Sequence, residues 1–367
     1  MTDPITGALL SGLDAVIEYL AAHVVTCLIP AFFIAGAIAI FVKKEAILKY
    51  FSPEAKKSVS YGIASISGVV LAVCSCTILP MFAGILKKGS GIGPATTFLY
   101  AGPAINILAI IYTASVLGWD IGFARAVFAI TMSIAIGLLM ATIFRSYDKE
   151  VSAAGKGFVS TGEESTRPKW VVPFFFVFLV LILVIGASAL IPFSIRLSIV
   201  YFLTLAVAFL LIYYFERDEV TEWGYEIWDL TKKIFPILIA GTFVVGVIAY
   251  FLPPETFKPF FGDNSLGACL LASIVGALLY MPTLLEVPII GGTFGYTSGV
   301  MAGGPALSLL LSGPAVSLPS LLVLYRIMGG KKTLAFALLV VGFSTLAGFV
   351  FGNFFPYLGI PGCGTGG

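Results

Sequence analysis

Ala64-Ser65-Ile66-Ser67-Gly68-Val69-Val70-Leu71-Ala72-Val73-Cys74-Ser75-Cys76-Thr77-Ile78-Leu79-Pro80 has a second version 208 residues later, running from Ala272-Ser273-Ile274-Val275-Gly276 to Pro288. The second version carries Pro282-Thr283-Leu284 where the first carries Cys74-Ser75-Cys76. Farther on, Gly93-Pro94-Ala95 and Gly102-Pro103-Ala104 return as Gly304-Pro305-Ala306 and Gly313-Pro314-Ala315. A duplicated apolar scaffold interrupted by Gly and Pro at matching positions points to the binding site of a transporter. The thiols, present in one copy only, mark where its chemistry sits.

Of the 367 residues, 59% are hydrophobic and 11% charged, with a mean hydropathy of +1.05. So little polar surface cannot cover a soluble globule of this length, and the fold class is an all-α polytopic membrane protein. A net charge of +2 implies no nucleic-acid partner. Met1 to Gly12 lacks a basic stretch, so no cleavable signal peptide is expected. The five cysteines, Cys27, Cys74, Cys76, Cys269 and Cys363, are odd in number and mostly embedded in apolar runs, unlike a secreted disulfide framework. There is no phosphate-binding loop, zinc-ligand cluster or dinucleotide fingerprint, and His23 is the one histidine. No cofactor, enzymatic activity or ATP-driven pumping is expected. The expected partners are the lipid bilayer and a small solute, with self-association open.

Apolar runs lie near residues 22–41, 61–86, 92–118, 121–144, 170–191, 197–215, 234–252, 266–290, 300–327 and 334–355. If every run crosses, Lys43, Lys44, Lys49, Lys56 and Lys57 fall opposite Arg145, Lys149, Lys156, Arg167 and Lys169, and orientation is undecided. If 61–86 and 266–290 instead enter and return on one side, eighteen of the 21 basic residues share a side. Only Arg125, Arg196 and Lys258 remain on the other. The excess of Lys and Arg assigns the crowded side to the cytoplasm. In this arrangement the first span and its counterpart at 234–252 run in opposite directions, so the halves are inverted repeats. Eight full spans, two re-entrant broken hairpins and external termini follow. A variant in which the Gly-Pro-Ala segments re-enter moves Lys87 and Lys88 across, for sixteen against five.

The chain then divides into a first repeat with the Cys-Ser-Cys hairpin (1–144), a cytoplasmic loop (145–169), two connecting spans (170–215), a cytoplasmic segment (216–233) and a second, inverted repeat (234–367).

Pro80 and Pro288 remove backbone donors, so helix breaks are expected there and at Gly102, Pro103, Gly313 and Pro314. Broken backbone at membrane depth must face protein or a water-filled cavity. Cys74 and Cys76, two apart, diverge by about 200° on a regular helix and converge only where the chain is unwound. Thiolates there suit a soft, thiophilic centre, and a metalloid is a candidate ligand; the alternative is a small apolar filler. Thr77, Asn106 and Ser317 are further candidate solute contacts, and Asn106 and Ser317, which align, serve equally well as links between helices. Glu286 aligns with Ile78 and lies within an apolar run. A carboxylate in the membrane is costly and characteristically faces a cavity, which suits it to coupling a proton; the bland reading is a structural hydrogen bond.

Val73-Cys74-Ser75-Cys76-Thr77-Ile78-Leu79-Pro80-Met81-Phe82-Ala83-Gly84-Ile85, Lys87-Lys88-Gly89-Ser90-Gly91-Ile92-Gly93-Pro94-Ala95 and Tyr100-Ala101-Gly102-Pro103-Ala104-Ile105-Asn106 resemble the ArsP/YraQ-type family of predicted permeases. Members of that family named for an activity resemble efflux permeases for trivalent organoarsenicals. The resemblance implies a cytoplasmic-membrane permease exporting methylated or aromatic As(III), with Cys74 and Cys76 as ligands. Composition and spacing alone lead only to a transporter with a soft-ligand site. Rival readings are a transporter of a sulfur-containing solute, a membrane thiol-redox protein cycling Cys74 and Cys76, and a passive channel.

Overall fold

The computed structural model describes residues 4–21, 28–41, 50–51, 55–71, 75–156, 168, 170–187, 192–251, 259–279, 281 and 285–354. Among them the secondary structure is helical. Two sets of helices follow the same order. The first set is α3 (Lys57–Leu71), α4 (Ser75–Lys87), α5 (Ile92–Ala104), α6 (Ile107–Val116) and α7 (Trp119–Ile143). The second is α12 (Leu266–Leu278), α13 (Glu286–Pro288, continued by a π-helical turn over Ile289–Thr293), α14 (Gly303–Ser312), α15 (Leu318–Met328) and α16 (Gly330–Phe354). From α5 onward the offset is 211 residues, and α7 and α16 match end to end.

The same local chemistry makes the same breaks. Gly102-Pro103 sits in the last turn of α5, and Asn106 caps α6 by accepting from the N–H groups of Leu108 (3.0 Å) and Ala109 (3.4 Å). A bend of 40° separates the two helices. At the matching place α14 stops before Gly313-Pro314, and Ser317 precedes α15, its N–H donating to Ser320 Oγ at 2.8 Å. Proline removes a helical donor, and the Asn or Ser oxygen restores order in the next first turn. Gly118 (φ 121°) and Gly329 (φ 83°) then turn the chain into α7 and α16 through a backbone region that disfavours any side chain.

The long helices are crossed by the Gly-Pro-Ala helices at glycine. A Cβ on Gly93 would lie 2.9 Å from the Gly137 carbonyl oxygen, and a Cβ on Gly304 would lie 2.9 Å from that of Gly348. Beside the crossings, Ser65 and Ser133 share a hydroxyl hydrogen bond (3.2 Å), and Thr345 donates to Ser273 (3.1 Å). In membrane bundles, where no aqueous hydrophobic effect drives helices together, small residues and interhelical hydroxyls supply the contact.

Each repeat also closes on itself. Gly91 N–H donates to the Phe51 carbonyl (2.8 Å), and Ala302 N–H donates to the Phe261 carbonyl (2.8 Å). The chain therefore leaves and regains one place between residues 51 and 91, and again between 261 and 302. Asp148 on α8 (Arg145–Lys156) accepts from Ile92 N–H at 2.8 Å, and Lys332 lies 3.7 Å from the Tyr147 ring centroid, so the first closure sits beside the start of α16. Asn264 donates to the Gly352 carbonyl (3.0 Å) and accepts from Gly304 N–H (2.8 Å), so the second closure sits beside the end of α16. The twenty helical rises from Lys332 to Gly352 span about 30 Å, a membrane's hydrocarbon thickness.

Around this duplicated centre lie α1 (Pro4–Tyr19), α2 (Ile29–Phe41), α9 (Val171–Ala187), α10 (Phe193–Tyr214) and α11 (Arg217–Phe251). The α10 surface exposes Ile195, Leu197, Tyr201, Phe202, Leu205, Phe209 and Ile212, an apolar coat suited to lipid. Among the described residues four helices, α7, α10, α11 and α16, are long and apolar enough to cross a membrane, or five if the bent pair α5–α6 is one span.

Two expectations shift. Pro80 lies inside α4, which runs on from Ser75 to Lys87, so the helix does not break at Pro80. The border drawn at residue 233 falls inside α11, whose 35 residues extend about 52 Å. That length exceeds a bilayer core, so its polar first third projects beyond it while remaining helical.

Candidate functional site

Glu286 is the first residue of α13, in the second copy of the repeat, and is fully buried. A Cβ on Gly313 would lie 4.0 Å from its carboxyl carbon, so the carboxylate rests over the second Gly-Pro-Ala break. The group facing it is Arg125 on α7, also fully buried: Nη2 stands 3.6 Å from Oε2. Arg125 Nη1 donates to Thr113 Oγ1 at 2.8 Å, and Thr113 in turn donates to the Ala109 carbonyl at 2.6 Å, anchoring the guanidinium to α6 just after the first break. Both breaks therefore contribute to one buried charged pair drawn from the two halves.

The remaining polar atoms are conspicuous. Arg125 Nε and Nη2 and both Glu286 carboxylate oxygens have no hydrogen-bond partner among the described residues. At 3.6 Å the contact is an ion pair without a hydrogen bond, since charge-assisted N–H···O contacts close to about 2.7–2.9 Å. Desolvating two charges costs more than so loose a contact returns, which argues for a working site over a structural brace.

Sequence reasoning placed Arg125 among the few basic residues on the outer side. It lies six residues into α7 with no exposed surface. An arginine inside an apolar run was the signal; its nearness to the end of that run made a surface position look natural.

Tyr100 completes the neighbourhood. Its hydroxyl donates to the Leu311 carbonyl at 3.2 Å and approaches Met132 Sδ at 3.7 Å. Tyr100 and Leu311 are themselves equivalent under the 211-residue offset, so the two copies touch there at matching positions. Consistent with that relation, α13 packs on α6 and α4 packs on α15. The counterparts of Arg125, Thr113 and Tyr100 are Phe336, Leu324 and Leu311, and the counterpart of Glu286 is Ile78. All four are buried and apolar. One half of the duplicated centre is thus polar and its mirror is greasy.

Cys76 stands in the first turn of α4, and Thr77 is buried beside it, but Cys74 and the Cys76 side chain lie outside the described residues. Asn106 and Ser317 are buried and engaged as helix caps. Pro288 ends α13, where the helix widens into its π-helical turn. Cys269 packs against Gly304, where a Cβ would lie 3.0 Å from its sulfur, as a small filler. Among the described residues no cluster of three or more His, Cys, Asp or Glu is arranged to hold a metal.

Toward the end of the molecule bearing Lys87, a cavity of about 710 Å3 opens between α4, α11, α15 and α16. Lys87, Lys232, Lys233, Arg326 and Lys332 ring apolar walls that include Leu86, Ile234 and Ile327. Lys87 pairs with Glu226 and, at 3.2 Å, with Asp229.

The sequence profile of the family ArsP_1, described as "Predicted permease", matches residues 9–353. The "UPF0718 protein MJ0584" of Methanocaldococcus jannaschii is 42% identical over 351 residues, covering 93% of this chain and 94% of that protein. The "UPF0718 protein YraQ" of Escherichia coli is 24% identical over 262 residues, covering 71% and 58%. The "UPF0718 protein YcgR" of Bacillus subtilis is 27% identical over 114 residues, covering 30% and 38%. No solved structure matches the chain. With a duplicated, lipid-faced helical scaffold whose two breaks converge on a buried ion pair, the chain is a multi-pass membrane protein that belongs to the ArsP_1 family of predicted permeases.

Proposed function

We propose that the protein is a secondary permease in which two inverted halves alternate access to a central path for a soft, thiophilic small solute. The observation that carries this reading is the paired closure of Gly91 on Phe51 and of Ala302 on Phe261, located at opposite ends of α16. Hairpins that enter from opposite faces and return are how inverted repeats build a site inside a membrane. Clustering of Lys87, Tyr147, Asp229 and Lys332 at one end agrees with the positive-inside count and favours a cytoplasmic assignment for it.

On this reading the 710 Å3 cavity is the cytoplasmic vestibule. Cys76, eleven residues from Lys87 along α4, lies about 16 Å below it, mid-way through the bilayer. Cys74 and Cys76 bind the solute, a trivalent organoarsenical by family resemblance, and Glu286 takes up the coupling proton in the outer half. The decisive experiment is uptake of methylated As(III) into inverted vesicles by the wild type and by the Cys74→Ser/Cys76→Ser double variant, with and without a pH gradient. Loss of transport with unchanged expression and thermal stability is the expected result; wild-type transport in the double variant would sink the thiol-ligand claim.

A further inference from the structure

We propose that Arg125 and Glu286 form a proton-coupled anion site: with Glu286 protonated, the free edge of the Arg125 guanidinium binds a small carboxylate or oxyanion group. The geometry assigns distinct tasks to the edges of the guanidinium. Nη1 is fixed by Thr113 at 2.8 Å, while Nε and Nη2, the pair of donors that matches two adjacent oxygens, have no hydrogen-bond partner among the described residues. Glu286 faces that edge at 3.6 Å, near enough to neutralise it and too far to occupy it.

Charge decides which occupant is present. The ionised pair is neutral overall. Adding a proton to the Glu286 carboxylate gives a carboxylic acid and leaves the site at +1, a state that burial makes costly until a monovalent anion joins it. Proton and anion are therefore taken up together, one for one, with no bond made or broken except the O–H of the carboxyl. Other titratable groups do not compensate. Among the described residues, the elements around Glu286 contribute Tyr100 on α5, Tyr112 on the exposed side of α6, Asp120 in the first turn of α7, Cys269 packed toward Gly304, and Tyr296 after the π-helical turn. Arg125 is the one cation among them.

The mirror half supplies the control. At the equivalent places the chain itself puts Phe336 and Ile78, so the Arg125→Phe/Glu286→Ile double variant removes both charges with residues this scaffold already packs. This inference rests on the permease reading only for its setting in the membrane, because its test is equilibrium binding.

Purified full-length protein in lipid nanodiscs is titrated with sodium acetate and, separately, sodium phosphate, at constant ionic strength maintained with chloride, and thermal unfolding is followed across pH 5 to 8. The wild type is expected to gain about 2–5 °C at saturating acetate or phosphate. Its half-saturating concentration should rise about tenfold per pH unit once Glu286 is ionised. In Glu286→Gln the gain persists and loses its pH dependence. In Arg125→Lys, which keeps the charge without the two-donor edge, half-saturation weakens at least tenfold, and the Arg125→Phe/Glu286→Ile variant shows no gain. An identical response in the wild type and the double variant would overturn the proposal, as would no response of the wild type to either anion at any pH. If binding fails while vesicle uptake of methylated As(III) succeeds, the anion site falls and the permease reading stands; the reverse outcome removes the permease reading alone.

Discussion

Tyr100 and Leu311 occupy equivalent positions in the two halves, and the Tyr100 hydroxyl donates to the Leu311 carbonyl at 3.2 Å. The side chain that makes this contact is also next to the Arg125–Glu286 pair, so the place where the two copies touch lies beside the buried charges. Tyr100→Phe should lower stability by about 1 kcal/mol, the ordinary net value of one such bond, seen as a reduced unfolding midpoint in nanodiscs.

The buried pair predicts strong non-additivity. Arg125→Ala or Glu286→Ala strands the remaining charge away from water and should cost about 3–5 kcal/mol. Arg125→Phe/Glu286→Ile should cost less than either. A double-mutant cycle of unfolding midpoints measures the coupling, and simple additivity would contradict the pairing.

Two glycines six residues apart on α16 should respond with opposite signs. A Cβ on Gly348 would drive into Ser308 and the Gly304 carbonyl, so Gly348→Ala should destabilise by about 1–3 kcal/mol through overpacking. Gly342 has nothing within 4 Å of a Cβ, and Gly342→Ala should stabilise by about 0.5–1 kcal/mol through helix propensity. Midpoints of the two variants against the wild type decide the matter.

Asp148 predicts a pH effect outside the membrane. Burial holds its carboxyl above the usual carboxylate range, against the opposing pull of the Ile92 N–H and of Lys332. A carboxyl raised on folding contributes stability that is fully present below its unfolded value and is lost as pH rises through the raised value. Asp148→Asn keeps an acceptor for Ile92 N–H without the charge. Relative to the wild type it should gain stability as the pH climbs through that window, read from midpoints between pH 4 and 7.

The hairpins predict sidedness. Cysteines introduced as Lys88→Cys and Ser298→Cys, in a background whose native cysteines are serine, should react with a membrane-impermeant maleimide from opposite faces. Lys88 lies by the first closure, and Ser298 precedes the second, near the opposite end of α16. Labelling of both from one face would exclude inverted hairpins.

Much of this molecule was legible as a string of residues. Composition fixed the membrane class, because 11% charged residues cannot coat a soluble surface. The 208- and 211-residue offsets exposed the duplication, and Gly102-Pro103 with Asn106, like Gly313-Pro314 with Ser317, marked the breaks. Those signals are local: a missing donor or a capping oxygen acts on its own turn whatever surrounds it. Pro80 was misleading for the complementary reason, since a helix held by its packing tolerates an interior proline that the isolated chain would not.

The partnership of Arg125 with Glu286 was not legible, because it depends on which faces of α7 and α13 meet. Charge counting treats each residue by its place along the chain, and Arg125, near the end of an apolar run, counted as surface. Folding brought α6, α7 and α13 together and turned two charges that are costly alone into a neutral, buried pair. The sequence by itself determined a duplicated membrane scaffold with matched breaks; the tertiary structure alone decided that one set of equivalent positions gathers into a buried charged pair while its counterparts stay buried and apolar.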